Sequence, residues 1–370
     1  MTNPGLWNYD SEEKVLLELA AEYPTVENGG VSKDGLTLTY KLEKDLKWQD
    51  GQPITSKDLK FTWEAIMNPK NTGVTGRSGY DQIESIETPD DLTAVVKFKE
   101  LYLPWANLFS QSGVQGTGLL PQHLLGSKET IDGDPFLRQP IGAGAFKVAE
   151  GKGGDFIKLV AADTYWRGRP KLDEINIKIV PSRDAGLAGL AAGDVDIMVD
   201  LTEANIPDVD ALEPKVHVSA VKGNDFEHYF FNMGTADNGG VEGPVFWKDE
   251  KVRQAYIYAL DRATIADKLL YGKTSTIATL WPNSAQWTNT DLKPYEFSTE
   301  KAAKLLEEAG WAAGEDGIRV KDIDGKKVRL SFDHQTTTGN QLRADVQVLA
   351  YANLRAAGMD ASDGDGFHGA

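Results

Sequence analysis

The side chains that could do chemistry in this chain are its five histidines and its many carboxylates, since it contains no cysteine. The histidines are His123, His217, His228, His334 and His368. No two of them are four residues apart, which is the spacing that places two metal ligands on one face of a helix. The absence of cysteine excludes disulfides, thiolate metal sites and cysteine nucleophiles. These residues therefore predict no metal site.

Short motifs that suggest a cofactor or calcium site each lack a residue that the full motif requires. Gly272-Lys273-Thr274 resembles the end of a phosphate loop, but Asp267 occupies the position of its first glycine. Gly142-Ala143-Gly144 is not a dinucleotide motif, because Lys147 stands where the third glycine should be. Asp322-Ile323-Asp324-Gly325 and the similar segment at 363–366 lack the glutamate that a twelve-residue calcium loop requires. We expect no cofactor and no catalytic residue.

A glycoside hydrolase is the enzyme hypothesis that stays open, because the 56 acidic residues could provide a pair of facing carboxylates. It would use some of the nine tryptophans as platforms for sugar rings. The sequence shows no eightfold βα repeat, which counts against the commonest scaffold for that chemistry.

Aromatic side chains in predicted loops are the candidates for the wall of a ligand-binding cleft. They are Trp7, Tyr80, Trp105, Trp281 and Trp287. Asn232 is added because it follows the apolar strand predicted at 229–231, where its amide could serve a ligand or cap a turn. Trp48, Trp63, Trp166 and Trp311 are assigned to the architecture, since most aromatic residues pack in cores.

The elements that must position these side chains indicate an α/β fold. Alternating isoleucines at 175, 177 and 179 predict a strand, Ser182 is a predicted N-cap and Gly193 a helix stop. Residues 195–199 complete a predicted βαβ unit with a parallel strand pair. The other predicted strands cover 36–42, 80–88, 92–98, 145–149, 156–161, 276–280 and 328–332. The other predicted helices cover 12–21, 55–67, 105–110, 252–259, 262–270, 298–309 and 340–357.

The composition of the chain disfavours two classes of binding partner, nucleic acid and anionic lipid. The chain has 370 residues and a formal net charge of −17, which repels nucleic acid and anionic lipid, so neither is expected as a partner. No apolar run reaches the length needed to cross a bilayer. The opening MTNPGLWNYD contains no basic and apolar signal segment.

Several ordered blocks of sequence together resemble one family. Residues 164–199 contain TYWRGRPKLDE and LAAGDVDIMV, residues 46–59 read LKWQDGQPITSKDL, residues 251–262 read KVRQAYIYALDR, and residues 301–311 read KAAKLLEEAGW. In this wording and order the chain resembles the solute-binding proteins of peptide- and nickel-type ABC importers, family 5. The resemblance implies a two-lobed periplasmic-binding-protein-like α/β fold of class II type. We expect lobe I at 1–230, with a subdomain near 36–140, and a partial lobe II at 231–370, the crossing lying near 235–243.

The resemblance also implies a function in transport rather than catalysis. Such proteins capture a peptide or similar solute between their lobes and deliver it to an ABC permease in the membrane. We expect a peptide ligand, with an oligosaccharide as the alternative, and a monomer located in the periplasm or held at the cell surface as a lipoprotein. At both ends the amino-acid sequence departs from the family pattern, and residues 359–370 are too polar and glycine-rich for a buried strand. We therefore expect a truncated member with an incomplete second lobe.

Overall fold

A computed structural model describes residues 2–111, 118–199, 201–221, 223, 225–234, 243–284 and 287–362. Backbone contacts divide the chain into two compact units, Met1–Pro181 (unit 1) and Ser182–Ala370 (unit 2). The lobe limits expected from the sequence, including the subdomain near 36–140, stay predictions. Most of the expected crossing, residues 235–242, lies outside the described residues.

Unit 1 begins with a short antiparallel hairpin of β1 (Trp7–Tyr9) and β2 (Val15–Leu17). The helix predicted at 12–21 is therefore wrong. Asp10 Oδ1 accepts hydrogen bonds from the backbone N–H groups of Glu12 and Lys14, and these bonds close the turn between the two strands.

The main sheet of unit 1 has the order β3-β5-β4, with antiparallel pairing throughout. Its strands are β3 (Thr37–Lys41), β4 (Ile83–Asp90) and β5 (Thr93–Phe98). Helix α1 (Ser56–Met67) packs on β4 and β5. It begins with a capping box, in which the Asp58 carboxylate accepts from the backbone N–H of Thr55 at 2.8 Å.

A second antiparallel sheet of unit 1 follows the short helix α2 (Gln122–Leu125). It joins β6 (Phe146–Lys152), β7 (Phe156–Ala161) and β8 (Glu174–Lys178) in that order. The predicted strand at 175–179 is confirmed as β8, but its only named neighbour in the sheet is the antiparallel β7.

The βαβ unit predicted around Ser182 is wrong in one of its two strands. Helix α3 (Arg183–Ala192) forms as predicted, since Ser182 Oγ accepts from the backbone N–H of Ala185 and Gly193 ends the helix at φ 79°. Residues 195–199 form no strand, however, and β8 belongs to unit 1 while α3 belongs to unit 2.

The helices of unit 2 after α3 are α4 (Ile206–Asp210), α5 (Glu250–Ala259), α6 (Arg262–Thr264), α7 (Thr299–Glu308) and α8 (Gln341–Ala356). Of these, α5, α7 and α8 contribute to the core of the unit. Helix α6 continues as a single π-helical stretch at Ile265–Leu269. Helices α5 and α7 pack on each other, and Ser298 is the N-cap of α7, since its Oγ accepts from the backbone N–H of Lys301 at 3.1 Å.

Two small sheets complete the described part of unit 2. Antiparallel strands β9 (Ala312–Ala313), β10 (Arg319–Ile323) and β11 (Lys326–Arg329) form one of them. The other is a parallel pair of β12 (Ser331–Asp333) and β13 (Asp360–Ser362), connected through α8. The expectation that the chain forms no strand after Gly358 is therefore wrong. The predicted strand at 276–280 is also wrong, since these residues form bends and irregular backbone.

Candidate functional site

Trp7 and Trp105 lie together in unit 1, with ring centroids 6.3 Å apart in a T-shaped arrangement. Trp7 is fully buried in β1, and its indole N–H donates to the carbonyl of Ala106 at 3.0 Å. Trp105 lies in a short 3-10 helix, Leu103–Asn107, and is half-buried. The structure thus places one ring inside the core and the other at its edge.

Tyr23 completes an aromatic cluster with these two tryptophans. Its ring lies 5.0 Å from Trp7 and 5.5 Å from Trp105, and the ring remains half-buried. Burial raises the pKa of the Tyr23 hydroxyl, and a hydrogen bond with the Tyr9 hydroxyl raises it further. Tyr23 and Trp105 therefore present neutral, partly exposed ring surface, which suits apolar or sugar-like groups. Tyr23 was not among the predicted residues, because its residue type alone was the signal in the sequence.

Tyr80 is buried, with 1% of its surface exposed, and lies in the 3-10 helix Tyr80–Gln82. Its carbonyl accepts from the indole N–H of Trp63 at 3.0 Å. The prediction that Trp7, Tyr80 and Trp105 lie in loops is therefore wrong, since Trp7 lies in a strand and the other two lie in 3-10 helices. The rings of Trp7 and Tyr80 are buried in the core of unit 1. Ligand contact by these residues stays a prediction.

A polar groove of about 540 Å³ opens on unit 1. It is lined by Gln52, Pro53, Thr55, Asp58, Gln122, His123, Gly126 and Ser127. His123 Nε2 lies 2.7 Å from Asp50 Oδ2 beside the groove, 73 residues away in sequence. That separation explains why no motif in the sequence predicted the pair.

The pKa values of two carboxylates near this groove, Asp50 and Asp58, are shifted in opposite directions. Burial raises the pKa of Asp50 to some extent, but hydrogen bonds from His123 and from the backbone N–H of Gln52 outweigh it, so the pKa lies below its ordinary value. For Asp58 burial dominates and raises the pKa, although the backbone N–H groups of Thr55 and Gln122 donate to it at 2.8 Å. The groove can thus hydrogen-bond a polar group, whereas no cluster of three metal-ligating side chains occurs anywhere in the described ranges.

Trp281 and Trp287 are exposed, at 55% and 64%. Both lie in irregular backbone of unit 2, as predicted. The carbonyl of Trp281 accepts from Thr288 Oγ1 at 2.6 Å, and Ser284 Oγ accepts from the backbone N–H of Trp287 at 3.2 Å. These bonds fix the backbone while leaving both rings available.

Asn232, the last predicted residue, is exposed in unit 2. Its Oδ1 accepts from the backbone N–H of Gly234 at 3.1 Å, which is the geometry of an Asx turn. This contact matches the turn-capping alternative that the sequence left open.

Comparison with known proteins decides which family these two units represent. Residues 15–362 match the family described as "Bacterial extracellular solute-binding proteins, family 5 Middle". The chain belongs to this family. The expected resemblance is therefore confirmed over nearly the whole sequence, and family 5 is a family of binding proteins rather than enzymes.

Relatives within family 5 bind different solutes. The chain is 31% identical over 357 residues to the oligopeptide-binding protein AppA of Bacillus subtilis, covering 95% of this chain and 61% of the relative. It is 25% identical over 338 residues to the nickel-binding periplasmic protein of Escherichia coli, covering 90% of this chain and 60% of the relative. The chain thus spans about three fifths of the length of these relatives.

Solved structures of the family share the fold. NikZ from Campylobacter jejuni, in complex with Ni(L-His), is similar at a TM-score of 0.73 and 26% identity, covering 98% of this chain and 68% of that one. AppA from Bacillus subtilis, in complex with a nonapeptide, is similar at a TM-score of 0.64 and 28% identity with the same coverage. The predicted α/β, two-lobed binding-protein fold is thereby confirmed. Within the described residues, no helix has the length and apolarity to cross a membrane.

Proposed function

We propose that this chain is the substrate-binding component of an ABC importer, capturing peptides or similar solutes and delivering them to a permease in the membrane. The family match over residues 15–362 is the observation that carries this proposal. Peptide is preferred as the solute because the oligopeptide-binding relative is 31% identical, against 25% for the nickel-binding one.

We place the protein outside the cytoplasm, as a monomer in the periplasm or as a lipoprotein at the cell surface. Other family 5 members are extracytoplasmic, which supports this location. We also propose that the chain has no catalytic turnover, since its family is one of binding proteins and its sequence offers no nucleophile or cofactor motif.

For ligand contact we propose the accessible members of the predicted set. Trp105 in unit 1 and Trp281 and Trp287 in unit 2 retain exposed ring surface. Asn232 offers its amide N, and the two buried residues, Trp7 and Tyr80, would contribute by supporting the surface from beneath.

Native mass spectrometry of the purified 370-residue chain, followed by calorimetry with a random pentapeptide library, tests the solute class. We expect co-purified peptides and saturable binding of the library. Binding of malto-oligosaccharides instead of peptides would support the sugar alternative that the exposed tryptophans allow, and binding of Ni(L-His) alone would move the solute to the nickel class. Absence of all three would contradict the proposal. Hydrolysis of the peptides during the titration would contradict the absence of turnover.

A further inference from the structure

Arg262 begins α6, and its guanidinium is half-buried against the loop that follows this helix. Nη1 donates to the carbonyl of Ile277 at 3.3 Å, and Nη2 donates to the carbonyl of Tyr295 at 2.6 Å. Nε is buried and has no hydrogen-bond acceptor in the part of the chain that the structure describes. One buried N–H donor of a half-buried cation is therefore left without a partner in the described residues.

No carboxylate compensates the charge of Arg262 among the described residues. Burial lowers the pKa of the guanidinium, and no acidic neighbour raises it again. An arginine side chain nevertheless stays protonated in a protein, so the site keeps a positive charge that is partly removed from water. Such a charge costs free energy unless an anion or other acceptor reaches it.

Several other arginines of unit 2 are paired with a carboxylate. Arg319 lies 3.1 Å from Glu307, Arg329 lies 3.1 Å from Asp360, and Arg343 lies 2.8 Å from Glu227. With 56 acidic residues in the chain, a carboxylate partner is easy to supply. Its absence beside Arg262 therefore distinguishes this arginine from those three.

The loop contacted by Arg262 carries a second polar atom without a partner. Thr279 Oγ1 is buried and has no hydrogen-bond partner within the described ranges, and Thr279 follows the Arg262 acceptor Ile277 by two residues. The same loop exposes Trp281 at 55% and Tyr295 at 47%. A cationic N–H of α6 thus lies against a loop that carries a hydroxyl and exposed aromatic rings, which is the composition expected of a subsite for an anionic end group.

We propose that Arg262 Nε–H, together with the Thr279 hydroxyl, forms a subsite for a carboxylate group of the solute, such as the C-terminal carboxylate of a peptide. This inference rests on the proposed function for the identity of the solute. The two Nη atoms donate to carbonyls of the loop. The Nε–H and the positive charge of the guanidinium bind the carboxylate of the ligand.

Side-chain NMR of the ¹⁵N-labelled chain tests the subsite with acetate as the probe. The Arg262 Nε–H signal is assigned by its loss in Arg262→Lys. Acetate should shift this signal in a saturable way, acetamide should not, and Thr279→Val should weaken the acetate response by about two- to tenfold, as expected for one hydrogen bond. An unchanged signal, an equal response to acetamide, or a response to inorganic phosphate alone would overturn the proposal.

A binding cycle with penta-alanine and its C-terminal amide separates a ligand contact from a structural role. The unaltered chain should prefer the free acid by about tenfold or more, as a hydrogen bond between charged groups would give. Arg262→Gln should abolish that preference, while Arg253→Gln should keep it, since Arg253 donates to the carbonyl of Trp247. Equal weakening of both peptides by Arg262→Gln would mean that the arginine only holds the loop, and would overturn the subsite. If neither peptide binds but acetate shifts the Arg262 signal, the subsite stands and the peptide-binding function fails.

Discussion

The hydroxyl oxygen of Tyr80 accepts a hydrogen bond from the backbone N–H of Phe109 at 3.0 Å, across 29 residues of sequence. Phe109 has φ 55°, in the left-handed region that non-glycine residues rarely adopt, and its carbonyl accepts from the backbone N–H of Leu6 at 2.7 Å. The two bonds hold an unfavourable backbone conformation in the core of unit 1. A side chain predicted to face a ligand therefore stabilises the fold.

Replacing Tyr80 by phenylalanine should lower the free energy of unfolding by about 1–3 kcal/mol, because the buried N–H of Phe109 loses its acceptor. Urea denaturation followed by tryptophan fluorescence measures this loss. Tyr102→Phe is the control, as it removes a hydroxyl from a partly buried ring packed against the same core. Equal effects of the two substitutions would contradict the assigned role of Tyr80.

Asp50 should contribute stability that depends on pH. Its pKa is lowered in the folded chain, so the stabilisation is present above the unfolded-state value of about 3.9 and is lost as the pH falls through the folded-state value. Asp50→Asn should therefore lower the melting temperature near neutral pH, and the difference should shrink in acid. Glu100→Gln removes the same charge from an exposed position and should show no such trend. A constant difference for Asp50→Asn at all pH values would refute this explanation.

Alanine at Gly358 should destabilise unit 2. This residue has φ 87°, and an added Cβ would lie 2.8 Å from Arg319 Cγ. The left-handed conformation alone costs an alanine about 1–2 kcal/mol, and a displaced Arg319 would also disturb its 2.9 Å bond to the carbonyl of Trp311. Chemical denaturation should report a loss of at least that size, whereas Gly189→Ala within α3 should be neutral or stabilising. A neutral Gly358→Ala would show that the backbone there can rearrange.

Trp281→Ala and Trp287→Ala should weaken pentapeptide binding by about two- to tenfold each, the range for a stacked aromatic contact. Stability should change by no more than about 0.5 kcal/mol, since both rings are largely exposed. Val348→Ala, at a position 67% exposed, is the matched control for lost apolar surface. Unchanged binding in both tryptophan variants would remove them from the ligand-binding surface.

Elements with strong local signals were predictable from the sequence. The helix at Ser56–Met67 follows from the Thr55 and Asp58 capping box, and α7 follows from the Ser298 cap and its apolar face. Both depend on contacts within a few residues, which a single sequence contains. The antiparallel pair of β4 and β5 was similarly indicated by alternation on both sides of a turn.

Elements that depend on partners outside their own segment were not predictable. Val15–Leu17 has a helix-like pattern, yet it pairs with Trp7–Tyr9 because the Asp10 turn brings the two strands together. Asp360 makes the last strand look too polar, but Arg329 and Arg355 lie 3.1 and 3.2 Å from its carboxylate and compensate the charge. Neither strand segment, taken alone, contains the residues that pair with it or compensate its charge.

The candidate site was predictable only in its exposed part. Trp281 and Trp287 are accessible as expected, whereas Trp7 and Tyr80 are buried because aromatic residues serve cores and ligands alike. The groove beside Asp50 and His123 and the unpartnered Nε of Arg262 arise from tertiary packing, and no spacing in the sequence signals them.

The parallel pairing of β12 with β13 determines when the contacts of unit 2 can form during synthesis. The core of unit 1 uses residues before Pro181, so its contacts can form as soon as that segment leaves the ribosome. Phe332, in β12, has to wait until α8 and then residues 360–362 have been made. At about 5–20 residues per second this delay between the two units amounts to roughly ten to forty seconds. The edge of β12 itself stays unpaired only while residues 334–360 are made, which takes roughly one to five seconds at the same rate.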